Sequence, residues 1–364
     1  MTEVNCSRRV RAADGDDAPD NSLRLMTGPS PIPAGIAADP GLLPQALDPV
    51  AGLVRIVRMD AAAYREASFL DDRMFSRRYE VILCRWNELV EATSPAMPAD
   101  ARWIFHIGHV GSTLVARLLG EFTLSIREPR ILRDIVGSSD RHFAPADSRA
   151  IVRLLSRRFA GSQPSLVKAT SFVSEVAPLL CPPGERALFL FTSPRNYICS
   201  ILAGENSRKE LASLADLRGR RMAKRAALTD AHLSEAHLAA AAWACEMTSL
   251  EAAAEAMPDR EVSWANFDLM LCDMPAALTE LTSFFGYAAE SAMIQTVATG
   301  PLTQRYSKAT EYEYSAALRR ELIAEAENNC GPMIEAAVNM LQRAAIQSPL
   351  LARALARASS APEV

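Results

Sequence analysis

The passage from Arg102 to Phe122 constrains this chain more than any other. WIFHIG (103–108) reads as a short buried strand, HVGS (109–112) as a turn, and TLVARLLGEF (113–122) as a helix with Leu114, Leu118 and Leu119 facing inward. In such a turn, successive backbone N–H groups and the positive end of the helix converge on one point, a geometry that holds a phosphate or sulfate. Gly111 lets the backbone approach an anion, and the Ser112 and Thr113 hydroxyls add donors. The competing reading is a tight turn at Gly111 with no ligand. The Walker pattern G-x-x-x-x-G-K-[ST] requires a lysine that is absent here, which disfavours an ordinary ATP or GTP site.

Further strand candidates follow at SLVKAT (165–170), ALFLFTS (187–193) and REVSWAN (260–266), with helical segments FVSEVAPLL (172–180) and PRNYICSILAG (194–204) between them. Strands alternating with helices predict an α/β fold in three layers around a central parallel sheet. Asp230 to Met257 reads as a long amphipathic helix, and the chain beyond Pro275 as mostly helical. Upstream, residues 1–50 cluster Asp, Pro and Gly without a hydrophobic period and read as a flexible extension. Residues 51–100 read as a helical cap, because Tyr79, Ile82, Leu83, Trp86, Leu89 and Val90 recur at helical spacing. The expected division is therefore an extension (1–50), a helical cap (51–100), an α/β domain (101–345) and a carboxy-terminal helix and tail (346–364). Arg149 to Arg158 reads as an amphipathic surface helix, and Arg218, Arg220, Arg221, Lys224 and Arg225 as a solvated helix face.

The 39 Lys+Arg against 43 Asp+Glu give a net charge of −4, so no global positive field draws nucleic acid or anionic membrane, and any anion site is local. The seven cysteines are odd in number, scattered and without a C-x-x-C pair, which argues against a disulfide framework or zinc ribbon and fits a reducing cytoplasm. The early arginines have no apolar run behind them, and no later segment sustains about 18 apolar residues, so neither a secretory leader nor a membrane span is expected. His106 and His109 form an H-x-x-H without a carboxylate at helical offset, so no metal site is expected.

The run FHIGHVGSTLVARLL (105–119) resembles the 5′-phosphosulfate loop of sulfotransferases that use 3′-phosphoadenosine 5′-phosphosulfate (PAPS), including bacterial ones. In that loop a basic residue, a spacer and Gly-[ST]-Thr open a helix; His109 occupies the basic position. TSPRNYICS (192–200) resembles the family's second nucleotide motif, with Ser200 in place and Thr192 where an arginine is expected. Arg195, three residues on, would then hold the 3′-phosphate together with Ser200. SWANFDLMLCDMPAALTELTSFFG (263–286) resembles a later strand–turn–helix segment, and Arg305-Tyr306-Ser307-Lys308 the Ser-Lys element of the tyrosylprotein-type branch. The resemblance spans about residues 100–315.

It implies a P-loop-containing fold that transfers a sulfuryl group from PAPS to an unidentified acceptor's hydroxyl or amine, without a metal. His109, Gly111, Ser112 and Thr113 would cradle the phosphosulfate. The cytosolic branch takes the acceptor proton with the histidine of a Lys-Thr-His motif; here Lys168-Ala169-Thr170 stands in that place and Thr170 is no base. Tyrosylprotein-type and some bacterial enzymes use a glutamate after the phosphosulfate helix, which points to Glu128 in IREPR (126–130). Arg127 and Arg130 beside it would lower its pKa and burial would raise it. Lys168, Ser307 and Lys308 would stabilise the leaving group. An atypical P-loop kinase and a catalytically silent nucleotide-binding module are the alternatives.

Overall fold

The computed structural model describes residues 28–76, 79–137, 145–226, 228, 234–305 and 315–359. It opens with a three-stranded antiparallel sheet, β1 (Leu42–Asp48), β2 (Leu53–Arg58) and β3 (Val81–Arg85), in the order β1-β2-β3. Two sequence expectations change here. The fold begins well before residue 50, because Leu42 and Leu43 are buried and β1 pairs along its length with β2. Pro44 is tolerated on this edge strand, where the register shifts between Pro44 and Ala46. The cap is also only partly helical. Of the residues at helical spacing, Ile82 and Leu83 lie in β3, whose pairing with β2 outweighs the local period. Among the described residues of this stretch only α1 (Ala61–Glu66) and α2 (Trp86–Glu91) are α-helical, with a 3-10 turn at Asp72–Ser76.

The second sheet is wholly parallel, in the order β5-β6-β4-β7-β8. Its strands are β4 (Arg102–His106), β5 (Ser125–Arg127), β6 (Leu166–Lys168), β7 (Arg186–Phe191) and β8 (Glu261–Asn266). The three residues of β5 were too short a run to read from sequence. Trp103 and Phe105 of β4 and Phe189 of β7 are fully buried, with Trp103 stacked on Phe105 at 5.7 Å and Phe189 edge-on to Phe105 at 5.8 Å.

α3 (Ser112–Leu119) follows β4; α4 (Ile131–Gly137) and α5 (Pro145–Leu155) separate β5 from β6. After β6 come a 3-10 turn (Ser171–Val176) and the short α6 (Ala177–Leu180), where the sequence suggested one helix. α7 (Pro194–Leu202), α8 (Glu205–Met222) and α9 (Glu235–Glu255) connect β7 to β8. α10 (Phe267–Cys272), α11 (Met274–Phe285), α12 (Ser291–Thr299), α13 (Ala316–Ala345) and α14 (Pro349–Ser359) complete the largely helical carboxy-terminal part. Rather than being amphipathic, α9 is buried on most of its faces, packed among α7, α8, α13 and α14. Its alanines permit close helix approach, and Trp243 Nε1 donates to the Thr192 carbonyl at 3.0 Å.

The chain leaves β4 for β5 and β6 on one side and then crosses to β7 and β8 on the other, so the strand order reverses between β4 and β7. In open α/β sheets such a switch point opens a crevice at the carboxyl ends of the strands. Among the described residues no helix is long and apolar enough to cross a membrane, and the six cysteines are free thiols.

Candidate functional site

A cleft of about 960 Å³ lies at this edge of the sheet. Residues just beyond four of the five parallel strands bound it: Gly108–Gly111 after β4, Glu128 after β5, Thr170 and Ser171 after β6 and Phe267 after β8; Thr192 after β7 reaches the lining residue Arg319 only through Asp268.

The loop after β4 bends through left-handed backbone at Gly108 (φ 81°), His109 (φ 52°) and Gly111 (φ 60°) before α3 begins. A side chain on Gly111 would collide with the Phe267 ring, its Cβ falling 1.9 Å from Cζ. Only glycine permits this approach together with this φ. Thr113 Oγ1 is buried with no hydrogen-bond partner on a residue that lines the cleft, an open valence at the start of α3. His106 anchors the loop from below: Gly108 N–H donates to its Nδ1 at 3.0 Å, which leaves Nε2 as the donor to the Ala169 carbonyl at 2.9 Å. His109 turns toward α8, with Nδ1 3.4 Å from Ser207 Oγ and Nε2 3.7 Å from a Glu210 carboxylate oxygen. The two histidines thus serve different partners, and among the described residues no group of three or more His, Cys, Asp or Glu is placed to hold a metal.

Glu128 and His109 are the two non-glycine residues with left-handed φ among the described residues, and both line the cleft. Backbone strain of this kind, roughly 1–3 kcal/mol, concentrates at functional sites. The neighbours suggested by sequence are not the partners of Glu128. Arg127 runs the other way, onto the Ala67 carbonyl, and Arg130 pairs with Asp72 and Asp134. Instead Lys168 Nζ bonds Glu128 Oε1, and Arg73 Nη2 lies 3.3 Å from Oε2 while its guanidinium stacks 3.4 Å over the Phe69 ring. Lys168 is fully buried behind the carboxylate, and Glu128, not Lys168, bounds the cleft. Arg73 comes from the 3-10 turn between β2 and β3, so the amino-terminal sheet supplies one wall. Nothing in the local sequence marked it.

At the opposite wall Ser200 lines the cleft, its Oγ donating to the Asn196 carbonyl at 2.7 Å. Arg195 does not line it; its two terminal nitrogens are taken by Glu327 and Glu335 of α13. Thr192 donates to Asp268, which also accepts from Asn196 Nδ2 at 3.0 Å and Arg319 Nε at 2.8 Å. Burial opposes ionisation of Asp268, yet Arg319 and the bonds from Thr192 and Asn196 hold its carboxyl below the usual range. Ser307 and Lys308 lie outside the described residues.

The basic cluster at the end of α8 is solvated only in part, with Arg220 and Lys224 exposed. Arg218 is buried with its Nε 3.2 Å from Glu246 of α9, while Arg221 and Arg225 both pair with Glu175. These bonds fix α8, which carries Ser207 and Glu210, as a wall of the cleft. Burial pushes the Glu246 carboxyl up to about 7 despite Arg218. A carboxyl whose pKa is raised on folding loses stability as pH rises from its unfolded value, about 4.3, to its folded one. Glu246 therefore weakens the fold progressively between about pH 4.3 and 7. Glu246→Gln is expected to flatten that part of the melting-temperature profile, and an unchanged slope would overturn the assignment.

No protein-family model matches the chain, and no curated protein matches it. Among solved structures, the chain is similar to the sulfotransferase domain from the curacin biosynthetic pathway, at 12% identity over 62% of this chain and 87% of that domain, with a TM-score of 0.34.

Proposed function

We propose that this protein transfers a sulfuryl group from PAPS to an acceptor hydroxyl or amine, in a reducing cytoplasm. One observation carries the reading: a glycine loop with an open hydroxyl valence at Thr113 and a strained, nearly buried carboxylate at Glu128 share one cleft. The residues present fit an anionic end group, since Gly111 keeps the backbone free of a Cβ and Thr113 Oγ1 lacks a partner inside the protein.

The donor, when bound, supplies the sulfuryl group and leaves as a 5′-phosphate. Glu128 accepts the acceptor's proton as the acceptor oxygen or nitrogen bonds to sulfur and the sulfur–oxygen bond to phosphate breaks. Loop N–H groups, Ser112 and Thr113 meet the charge that develops on the departing phosphate. Lys168 and Arg73 hold the Glu128 carboxylate at the cleft wall, so Lys168 acts through Glu128. Ser307 and Lys308 keep the leaving-group role that the sequence resemblance implies.

Calorimetric titration with 3′-phosphoadenosine 5′-phosphate, the spent donor, tests the reading against ATP with magnesium. Micromolar binding of the bisphosphate and none of ATP is expected. Preference for ATP would replace the reading with phosphoryl transfer, and binding of neither would remove the donor site.

A further inference from the structure

Arg319 sits near the start of α13, outside every motif that the nucleotide reading uses. Its side chain is 11% exposed, lines the cleft, and has its Nη2 buried with no hydrogen-bond partner. A buried guanidinium nitrogen left unsatisfied costs about 1–3 kcal/mol or more, so natural folds seldom keep one without a use. The rest of the side chain is held firmly. Nε donates to Asp268 at 2.8 Å, and the guanidinium carbon lies 5.3 Å from the centre of the Phe267 ring, the ring that closes on Gly111. Asp268 in turn is fixed by Thr192 at the end of β7 and by Asn196 in α7.

The geometry is that of a replacement. β7 is followed directly by Thr192, a side chain too short and uncharged to grip a phosphate, and Arg195 is consumed by Glu327 and Glu335. Thr192 and Asn196 instead hold a carboxylate that delivers a guanidinium from α13 to the same strand end. A guanidinium fixed at Nε with Nη2 unsatisfied suits an oxyanion. The loop before α3 already provides for one anionic group.

We infer that Arg319 is the arginine that recognises a second phosphate on the cleft's ligand, the 3′-phosphate of the nucleotide, in place of Thr192 and Arg195. This rests on the proposed donor reading, and the ligands used to test it separate the two.

Titrations of the full chain with 3′-phosphoadenosine 5′-phosphate and with adenosine 5′-phosphate, which lacks the 3′-phosphate, decide the matter. The wild-type chain is expected to prefer the bisphosphate. Arg319→Gln is expected to weaken bisphosphate binding about 10- to 100-fold, the range for a hydrogen bond between charged groups, and to leave adenosine 5′-phosphate within about 2-fold. Equal weakening of both ligands, or a preference that survives the substitution, would overturn the assignment of Arg319. A wild-type chain that binds neither would instead overturn the donor reading, and this inference with it. Circular dichroism checks folding. Should Arg319→Gln unfold, Arg319→Lys keeps a cation for Asp268 but loses the planar fork, and the same selective loss is expected at smaller size.

Discussion

Glu128→Gln is expected to lower sulfuryl transfer by about 10²- to 10⁴-fold, the range for loss of a positioned general base, while the bisphosphate still binds. The amide keeps the size of the side chain and the left-handed backbone at residue 128, but it cannot take a proton. The same substitution removes the negative member of a pair with Lys168, which is fully buried. An uncompensated buried cation costs roughly 3–5 kcal/mol, so the variant should also melt at a lower temperature. Activity and stability are separable. Glu128→Gln combined with Lys168→Met removes both charges, and replacing a buried pair by uncharged groups is often neutral for stability. The double variant is expected to recover much of the melting temperature and none of the turnover. If Glu128→Gln turned over at the wild-type rate with donor bound normally, Glu128 would not be the base. If the double variant regained activity, the loss in the single variant would reflect the stranded lysine.

Gly111→Ala is expected to destroy the loop. Its φ of 60° carries a steric cost of about 1–2 kcal/mol for an L side chain, and its Cβ would lie 1.9 Å from Phe267 Cζ. Overpacking adds about 1–3 kcal/mol even when neighbours yield. Here the neighbour belongs to α10, and its displacement would disturb Asp268 and Arg319 as well. Nucleotide affinity should fall by at least about 100-fold, with a clear drop in melting temperature, because about 3 kcal/mol corresponds to that factor. Gly108→Ala is the comparison. Gly108 also has a left-handed φ, 81°, but its Cβ would meet Ser171 at an ordinary 3.5 Å. It bears the backbone cost alone and should lose far less. Equal effects at the two glycines would mean that the approach of Phe267 is not what the loop requires.

How much of this was legible beforehand differs from residue to residue. The strand–loop–helix unit at 102–119 is set by short-range chemistry: an apolar run, glycines where φ turns positive, then a helical period. It is read directly from the chain. The same holds for β7 and β8, whose runs are long enough to announce themselves. β5 was not legible, because three residues carry no period, and its place at the sheet edge comes from pairing with β6. The period from Tyr79 to Val90 misled only in its first part: Trp86, Leu89 and Val90 lie in α2, whereas Ile82 and Leu83 fit a strand equally well and pair with β2.

The site divides along the same line. Gly111, Thr113, Glu128 and Ser200 were singled out from sequence, and all four line one cleft. Lys168 was found too, but its burial on Glu128 changes what it touches. Arg195 was singled out because it lies three residues from Thr192, and only the packing of α13 against α7 shows its charge already spent on Glu327 and Glu335. Arg73 and Arg319 had no local signal. Each sits among other arginines, in DDRMFSRR and AALRREL, where nothing distinguishes the one that turns inward.

By itself the sequence determined the alternating α/β order and the glycine-bearing turn between β4 and α3, since these depend on backbone sterics and hydrogen bonding between near neighbours. The tertiary structure alone decided which charges face the cleft. Pairing among Glu128, Lys168 and Arg73, and among Thr192, Asp268 and Arg319, joins residues 40 to 76 positions apart, and such contacts depend on how whole elements pack rather than on any spacing along the chain.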